Sequence, residues 1–86
     1  MTRLFIDVRE PHEFARGTVP GSINLPPAVL LQGAEVLSKI PKDTELVLFC
    51  LTGNRSNASM HYLREIGFTN LINGINKNHV LSKYNF

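Results

Sequence analysis

Residues 45–58 read ELVLFCLTGNRSNA and contain the only cysteine of the 86-residue chain, Cys50. The continuous apolar run at 46–50 predicts a strand covered on both faces, as in a parallel sheet. After a short polar loop, apolar residues recur at helical spacing, and Gly67 stands where a glycine commonly ends a helix. These helical positions are Ala58, Tyr62, Leu63 and Ile66. The stretch therefore predicts a strand, a loop that begins at Cys50, and a helix.

The rest of the chain continues this alternation of short strands and helices. Further strands are predicted at 4–8, 22–26 and 70–72, a short helix at 10–14 that ends at Gly17, and one or two helical turns at 77–84. Strands that alternate with helices indicate an α/β fold with a mainly parallel sheet. Ligands of such sheets bind beyond the carboxyl ends of the strands, which is where Cys50 lies.

A longer helix is predicted at 28–40, where five apolar positions fall on one helical face. Gly33 interrupts the pattern and weakens the helix, and Pro41 ends it. The five apolar positions are Val29, Leu30, Val36, Leu37 and Ile40.

The loop after Cys50 combines features that favour a thiolate. The first backbone N–H groups of the following helix have no partner within the helix, and the helix dipole is positive at this end. Arg55 adds a full positive charge, and Gly53 permits a positive φ that lets successive N–H groups converge on an anion. These features predict a pKa for Cys50 below about 8.5, the value of a free thiol. The alternative is a buried cysteine that only fills space at a strand end.

The composition excludes several other kinds of protein. One cysteine allows neither an internal disulfide framework nor a zinc ribbon, and a net charge of +2 is too small to indicate nucleic-acid binding. The charge is uneven, because residues 1–49 carry five Lys or Arg against six Asp or Glu, whereas residues 50–86 carry four against one. A basic half around Cys50 favours small anions, although four charges also describe an ordinary solvated surface.

The remaining titratable residues indicate no metal or cofactor. His12, His61 and His79 lack the spacing of metal ligands, and no nucleotide-binding fingerprint is present. Lys77 and Lys83, with His79, either add positive field or belong to a frayed basic tail, and we expect the tail. No apolar run is long enough to span a bilayer and no export signal is visible, so we expect a cytoplasmic protein, or a periplasmic one if an export signal has been removed.

Two separated stretches resemble the rhodanese family. The segment IDVREPHEFARGTVPGSINLP (6–26) is similar to the first signature of rhodanese domains, and CLTGNRS (50–56) is similar to their active-site loop. The resemblance covers about residues 4 to 72, and in size it is nearest to the single-domain, phage-shock-type sulfurtransferases. It implies one rhodanese-like α/β domain over residues 1–86, with a mainly parallel central sheet and helices on both faces.

The resemblance also implies a reaction and roles for individual residues. Cys50 would accept a sulfane sulfur from an anionic donor such as thiosulfate, become a persulfide, and pass the sulfur to cyanide, a small thiol or a protein thiol in a ping-pong mechanism. Asp7, Arg9 and Ser56 would support the site, although Asp7 and Arg9 are also read as a structural ion pair that braces the sheet. The residues that would surround the sulfur and bind the donor are Leu51, Thr52, Gly53, Asn54 and Arg55.

The sequence departs from the family pattern at several positions. Thr18 replaces a histidine that is common after the glycine, and residues 73–76, NGIN, form a shorter turn than usual. Almost nothing precedes Leu4, so we expect one edge of the sheet to be exposed in a monomer, or to be covered by a second chain in a weak homodimer.

Two other functions are compatible with these residues. A cysteine phosphatase would need five residues between Cys and Arg, whereas four separate Cys50 from Arg55, and the loop holds no carboxylate to protonate a leaving alkoxide. A sulfur carrier or protein-binding module without turnover would keep the same fold and the same cysteine.

Overall fold

The computed structural model describes residues 2–86, and Met1, the first residue of the predicted domain, lies outside the described residues. The strands are β1 (Arg3–Asp7), β2 (Ile23–Asn24), β3 (Glu45–Cys50) and β4 (Leu71–Asn76). The helices are α1 (Pro11–Ala15), α2 (Pro27–Leu31), α3 (Asn54–Glu65) and α4 (Lys77–Lys83), together with a 3-10 helix at Glu35–Lys39. The four strands form one sheet in the order β2-β1-β3-β4, and every neighbouring pair is parallel. The α/β fold with a parallel sheet is confirmed.

The central strand β3 has its side chains in two separate cores. Each residue from 46 to 50 is at most 1% exposed. Leu46, Leu48 and Cys50 pack on the face that α2, the 3-10 helix and α3 cover. Val47 and Phe49 pack on the opposite face, where α4 inserts a fully buried Val80. Helices therefore cover both faces of the sheet, which explains why this strand has no polar side.

The helix predicted at 28–40 is wrong as one element. The chain forms α2 and then, after a break, the 3-10 helix. Gly33 lies at the break with φ +77°, a left-handed conformation that a helix cannot continue through. Val29 is 40% exposed, so it does not share the buried face with Leu30.

The strand β4 is longer than the one predicted at 70–72, and the turn expected at 73–76 is wrong. Asn73 pairs with Leu48 and Ile75 pairs with Phe49, so Gly74 is the extra residue of a β-bulge. A Cβ at Gly74 would lie 2.6 Å from Val80 Cγ2, which explains the glycine by lack of space. Asparagine and glycine typify turns, and this tertiary contact overrides that preference.

The helical turns predicted at 77–84 are confirmed as α4, and the frayed basic tail is wrong. The Asn76 side chain accepts a hydrogen bond of 2.8 Å from His79 N and caps the helix. Beyond β4 no further strand pairs with the sheet within residues 2–86. In the same residues no helix is long and apolar enough to cross a membrane.

Candidate active site

Cys50 is the last residue of β3, and its sulfur is held by the loop that leads into α3. The side chain is 1% exposed and belongs to the core on the α3 side of the sheet. Gly53 has φ +92° and precedes α3 as its N-cap residue. This left-handed turn, expected from the sequence, directs Gly53 N–H to the sulfur at 3.1 Å. The chain therefore bends around Cys50 at the first turn of a helix.

The pKa of the Cys50 thiol is lowered to about 7. Burial raises the pKa, but the Ser56 hydroxyl lowers it by hydrogen bonding to the thiolate. The backbone N–H groups of Ser56, Gly53 and Thr52 lower it further. About half of the thiol is consequently ionised near neutral pH, and a thiolate is the nucleophilic form.

The Ser56 hydroxyl has no oxygen or nitrogen partner among residues 2–86, although it is buried. A buried hydroxyl without a partner costs free energy, so it is available to a negative charge formed nearby. The effect of Ser56 on the pKa of Cys50 identifies that charge as the thiolate.

Asn73 of β4 supports the same loop from the neighbouring strand. Its side-chain amide donates to Gly53 O at 3.0 Å, and its Oδ1 accepts from Ile75 N at 3.0 Å. Ile75 has φ +73°, a left-handed conformation that is unusual for a β-branched residue. The bulge therefore places Asn73 where it ties β4 to the Gly53 turn.

Asp7, the last residue of β1, and Arg9, two residues beyond it, form a buried ion pair. Arg9 Nη2 donates to Asp7 Oδ2 at 2.7 Å and to Gly17 O at 2.7 Å, and Arg9 Nε donates to Asp7 Oδ1 at 2.9 Å. Thr18, in place of the common histidine, donates its hydroxyl to Asp7 Oδ2 at 2.7 Å. The charges of Asp7 and Arg9 are thus satisfied within the protein, as in the structural ion pair that the sequence offered.

Arg55 is held by a carboxylate from another element, Glu13 of α1. The two distances are 2.8 Å from Nη1 to Oε1 and 3.3 Å from Nη2 to Oε2. The Arg55 hydrogen bond, followed by the one from Glu10 N, lowers the pKa of Glu13 to about 2. The pKa of Arg55 is raised mainly by Glu13 and to a smaller extent by Cys50. Arg55 is therefore near the Cys50 thiol, but its main partner is the Glu13 carboxylate.

A cleft of about 310 Å³ opens beside Cys50. Leu51, which is 56% exposed, lies at this cleft, whereas the side chains of Thr52 and Asn54 are exposed on the loop. Within residues 2–86 no group of three His, Cys, Asp or Glu side chains is placed to hold a metal ion. The residues that line the cleft are Arg9, Cys50, Leu51, Asn76, Lys77 and Asn78.

The sequence profile of the rhodanese-like domain matches residues 1–77, most of the chain. The chain belongs to the rhodanese-like domain family. A protein of Allochromatium vinosum named sulfurtransferase is 34% identical to this rhodanese-like domain over 70 residues, which are 81% of the chain and 63% of that relative. The human thiosulfate:glutathione sulfurtransferase is 35% identical over 78 residues, with 78% of the chain and 67% of that protein covered. The chain therefore spans about two thirds of the length of these two relatives.

The fold agrees with that of solved rhodaneses. The structure described as rhodanese with anions from E. coli superimposes with a TM-score of 0.79, and the match covers 91% of each chain at 24% identity. At this identity the likeness concerns the fold alone.

Sequence reasoning brought most of the site of this rhodanese-like domain together but missed three contributors. The sequence places four of these residues together, because they lie on one loop and the first turn of the following helix. They are Cys50, Gly53, Arg55 and Ser56. Glu13, Asn73 and Lys77 reach the site from α1, β4 and α4. Glu13 lies in the short helix predicted at 10–14, and Asn73 lies in the turn expected at 73–76. No spacing in the sequence connects either residue with Cys50.

Proposed function

We propose that the protein is a sulfurtransferase in which Cys50 accepts a sulfane sulfur from thiosulfate and passes it to a thiol or to cyanide. The observation that carries this proposal is the geometry at the end of β3, where Gly53 N–H points to the buried Cys50 sulfur at 3.1 Å at the start of α3, in keeping with the lowered pKa of the thiol. The names of the sulfurtransferase relatives support the reaction class. The human relative is named for thiosulfate and glutathione, which supports a small anionic donor and a small thiol acceptor.

In the first half-reaction the Cys50 thiolate attacks the outer sulfur of thiosulfate. A bond forms between Sγ and that sulfur, the S–S bond of the donor breaks, and sulfite leaves with the bonding electron pair. The product is a Cys50 persulfide anion. The N–H groups of Thr52 and Gly53 and the Ser56 hydroxyl, which stabilise the thiolate, are placed to stabilise this anion as well.

In the second half-reaction an acceptor attacks the terminal sulfur of the persulfide. Cyanide forms thiocyanate, the bond between Sγ and the terminal sulfur breaks, and its electron pair restores the Cys50 thiolate. Leu51 to Arg55 form the loop around the transferred sulfur, and Asp7 and Arg9 hold the adjacent strand end. Because sulfite leaves before the acceptor reacts, the kinetics are ping-pong.

Intact-mass measurement after incubation with thiosulfate tests the proposal. The wild-type protein is expected to gain one sulfur atom and to lose it when cyanide is added. Cys50→Ala, and the closer isostere Cys50→Ser, are expected to gain none while remaining folded by circular dichroism. A sulfur gain that persists in Cys50→Ala would contradict the role of Cys50.

The same preparations separate the proposal from its rivals. A persulfide that forms but is surrendered to neither cyanide nor glutathione would identify a carrier rather than a catalyst. Turnover of an aryl phosphate that disappears in Cys50→Ser would identify a phosphatase.

A further inference from the structure

The two arginines near Cys50 already have carboxylate partners. Arg9 pairs with Asp7 at 2.7 Å and is only 8% exposed in its side chain. Arg55 pairs with Glu13 at 2.8 Å. An anion that enters the cleft therefore meets the Arg9 guanidinium with its charge balanced by Asp7. Arg55, which the resemblance assigns to donor binding, is likewise paired.

Lys77 is different, because it lines the same cleft as Cys50 and has no carboxylate partner. No ion pair or hydrogen bond of its ammonium group is present among residues 2–86. The Nζ atom lies 3.5 Å from the position that a Cβ on Gly17 would occupy, so the ammonium group extends from α4 toward the residue that accepts from Arg9. Lys77 therefore brings an unbalanced positive charge to the cleft.

We infer that Lys77 binds the charged end of the sulfur donor and makes the site selective for small donors that carry a negative charge beside the transferred sulfur over organic persulfides that carry no such further charge. This inference rests on the proposed function, since it names the donor class for the Cys50 reaction. The donor class comprises small molecules whose negative charge lies a few bonds from the transferred sulfur, such as a thiosulfonate or a persulfide that bears a carboxylate.

The electrostatics of the attack explain why such a cation is needed. The nucleophile is a thiolate and the donor is an anion, so the two repel each other as they approach. The neutral donors around Sγ stabilise the thiolate but leave this repulsion in place. One free ammonium group at the cleft offsets it. A volume of about 310 Å³ also lies at the small end of the range for small-molecule sites, roughly 300–1,000 Å³.

Alkylation of Cys50 tests the role of Lys77 without any assumption about sulfur transfer. Iodoacetate is anionic and iodoacetamide is neutral, so the ratio of their rates at Cys50 reports the local attraction for anions. Lys77→Gln is expected to lower this ratio by about fivefold, the size of the effect that one unit charge has on an anion bound about 4 Å from it in water. Lys77→Arg is expected to keep the ratio. Lys83→Gln is the matched control, because it removes the same charge from the exposed end of α4.

An unchanged ratio in Lys77→Gln, or an equal fall in Lys83→Gln, would overturn the inference. The pH dependence of iodoacetamide alkylation is measured in parallel to show that the pKa of Cys50 stays the same.

Steady-state kinetics with thiosulfate and cyanide supply the second measurement. Lys77→Gln is expected to raise the KM for thiosulfate by about fivefold, while kcat changes less than about twofold, because the ammonium group binds donor in ground state and transition state alike. A fall in kcat at constant KM would contradict this role. A wild-type protein that gains no sulfur from thiosulfate would contradict the proposed function, and the alkylation ratio would still decide whether Lys77 attracts anions to Cys50.

Discussion

The ends of β1 and β3 lie side by side in the sheet, and they treat charge in opposite ways. At the end of β1, Asp7 and Arg9 neutralise each other within the protein, with Thr18 and Gly17 completing their hydrogen bonds. At the end of β3, the Cys50 sulfur is surrounded mainly by neutral donors that lower its pKa to about 7. The charges at the end of β1 balance each other, whereas the end of β3 stabilises a negative charge on Cys50.

Charged residues near a site are not automatically its ligand-binding groups. Arg9 and Arg55 are the most conspicuous cations of the motifs, yet each has its own carboxylate. The pKa of the Cys50 thiol is lowered by backbone N–H groups and by the Ser56 hydroxyl. Three pairs of variants test this contrast, and each pair includes a matched control.

Asp7→Asn is expected to produce the largest loss of stability. It leaves the buried guanidinium of Arg9 without its counter-charge, which costs about 3–5 kcal/mol of unfolding free energy. Glu45→Gln breaks the Arg3–Glu45 pair, in which Arg3 is 48% exposed, and is expected to cost far less, because solvent screens an exposed ion pair. Urea unfolding of both variants measures the difference. Equal losses of unfolding free energy would show that the Asp7–Arg9 pair contributes no more to stability than an exposed ion pair.

Gly53→Ala and Gly33→Ala test the turn at the end of β3. Both glycines have positive φ, +92° and +77°, so each alanine variant is expected to lose about 1–2 kcal/mol. Of these two glycines, Gly53 is the one whose N–H donates to the Cys50 sulfur. We therefore expect Gly53→Ala alone to raise the pKa of Cys50, measured by thiolate absorbance against pH. A raised pKa in Gly33→Ala as well would indicate a general loss of structure.

Ser56→Ala and Ser59→Ala each remove one hydroxyl from α3, and this pair is expected to give the smallest effect of the three. Both hydroxyls are buried with no oxygen or nitrogen partner among residues 2–86, and both lie on α3. Ser59 lines a separate apolar cavity of about 210 Å³ between α2 and α3.

Because the Ser56 hydroxyl stabilises the thiolate, Ser56→Ala is expected to raise the pKa of Cys50 from about 7 toward that of a free thiol. The alkylation rate by iodoacetamide at pH 7 then falls severalfold, and the rate at high pH is unchanged. Ser59→Ala is expected to leave this pH profile as it is. An identical profile for Ser56→Ala would show that the backbone N–H groups suffice.

The parts of the site that local sequence predicts are those that lie on one continuous segment. The apolar run at 46–50 predicted a strand buried on both faces, and Gly53 predicted a positive φ. The lowered pKa of Cys50 was also predicted, but its main cause is Ser56 and the backbone rather than Arg55. Errors occurred where a neighbouring element decides the structure, as at residues 73–76, where Val80 requires a glycine in a strand.

The sequence by itself determined the order of strands and helices and the position of Cys50 at a strand end, because these depend on periodicity and on residues a few positions apart. Only the tertiary structure paired Arg55 with Glu13 and placed Asn73 against Gly53. It also brought Lys77 to the Cys50 cleft. These contacts join segments 20 or more residues apart, and they form because the parallel sheet aligns the carboxyl ends of β1, β3 and β4 at one edge. The hydrogen bonds to the Cys50 sulfur therefore come from one local segment of the chain, whereas the charges around it depend on the fold.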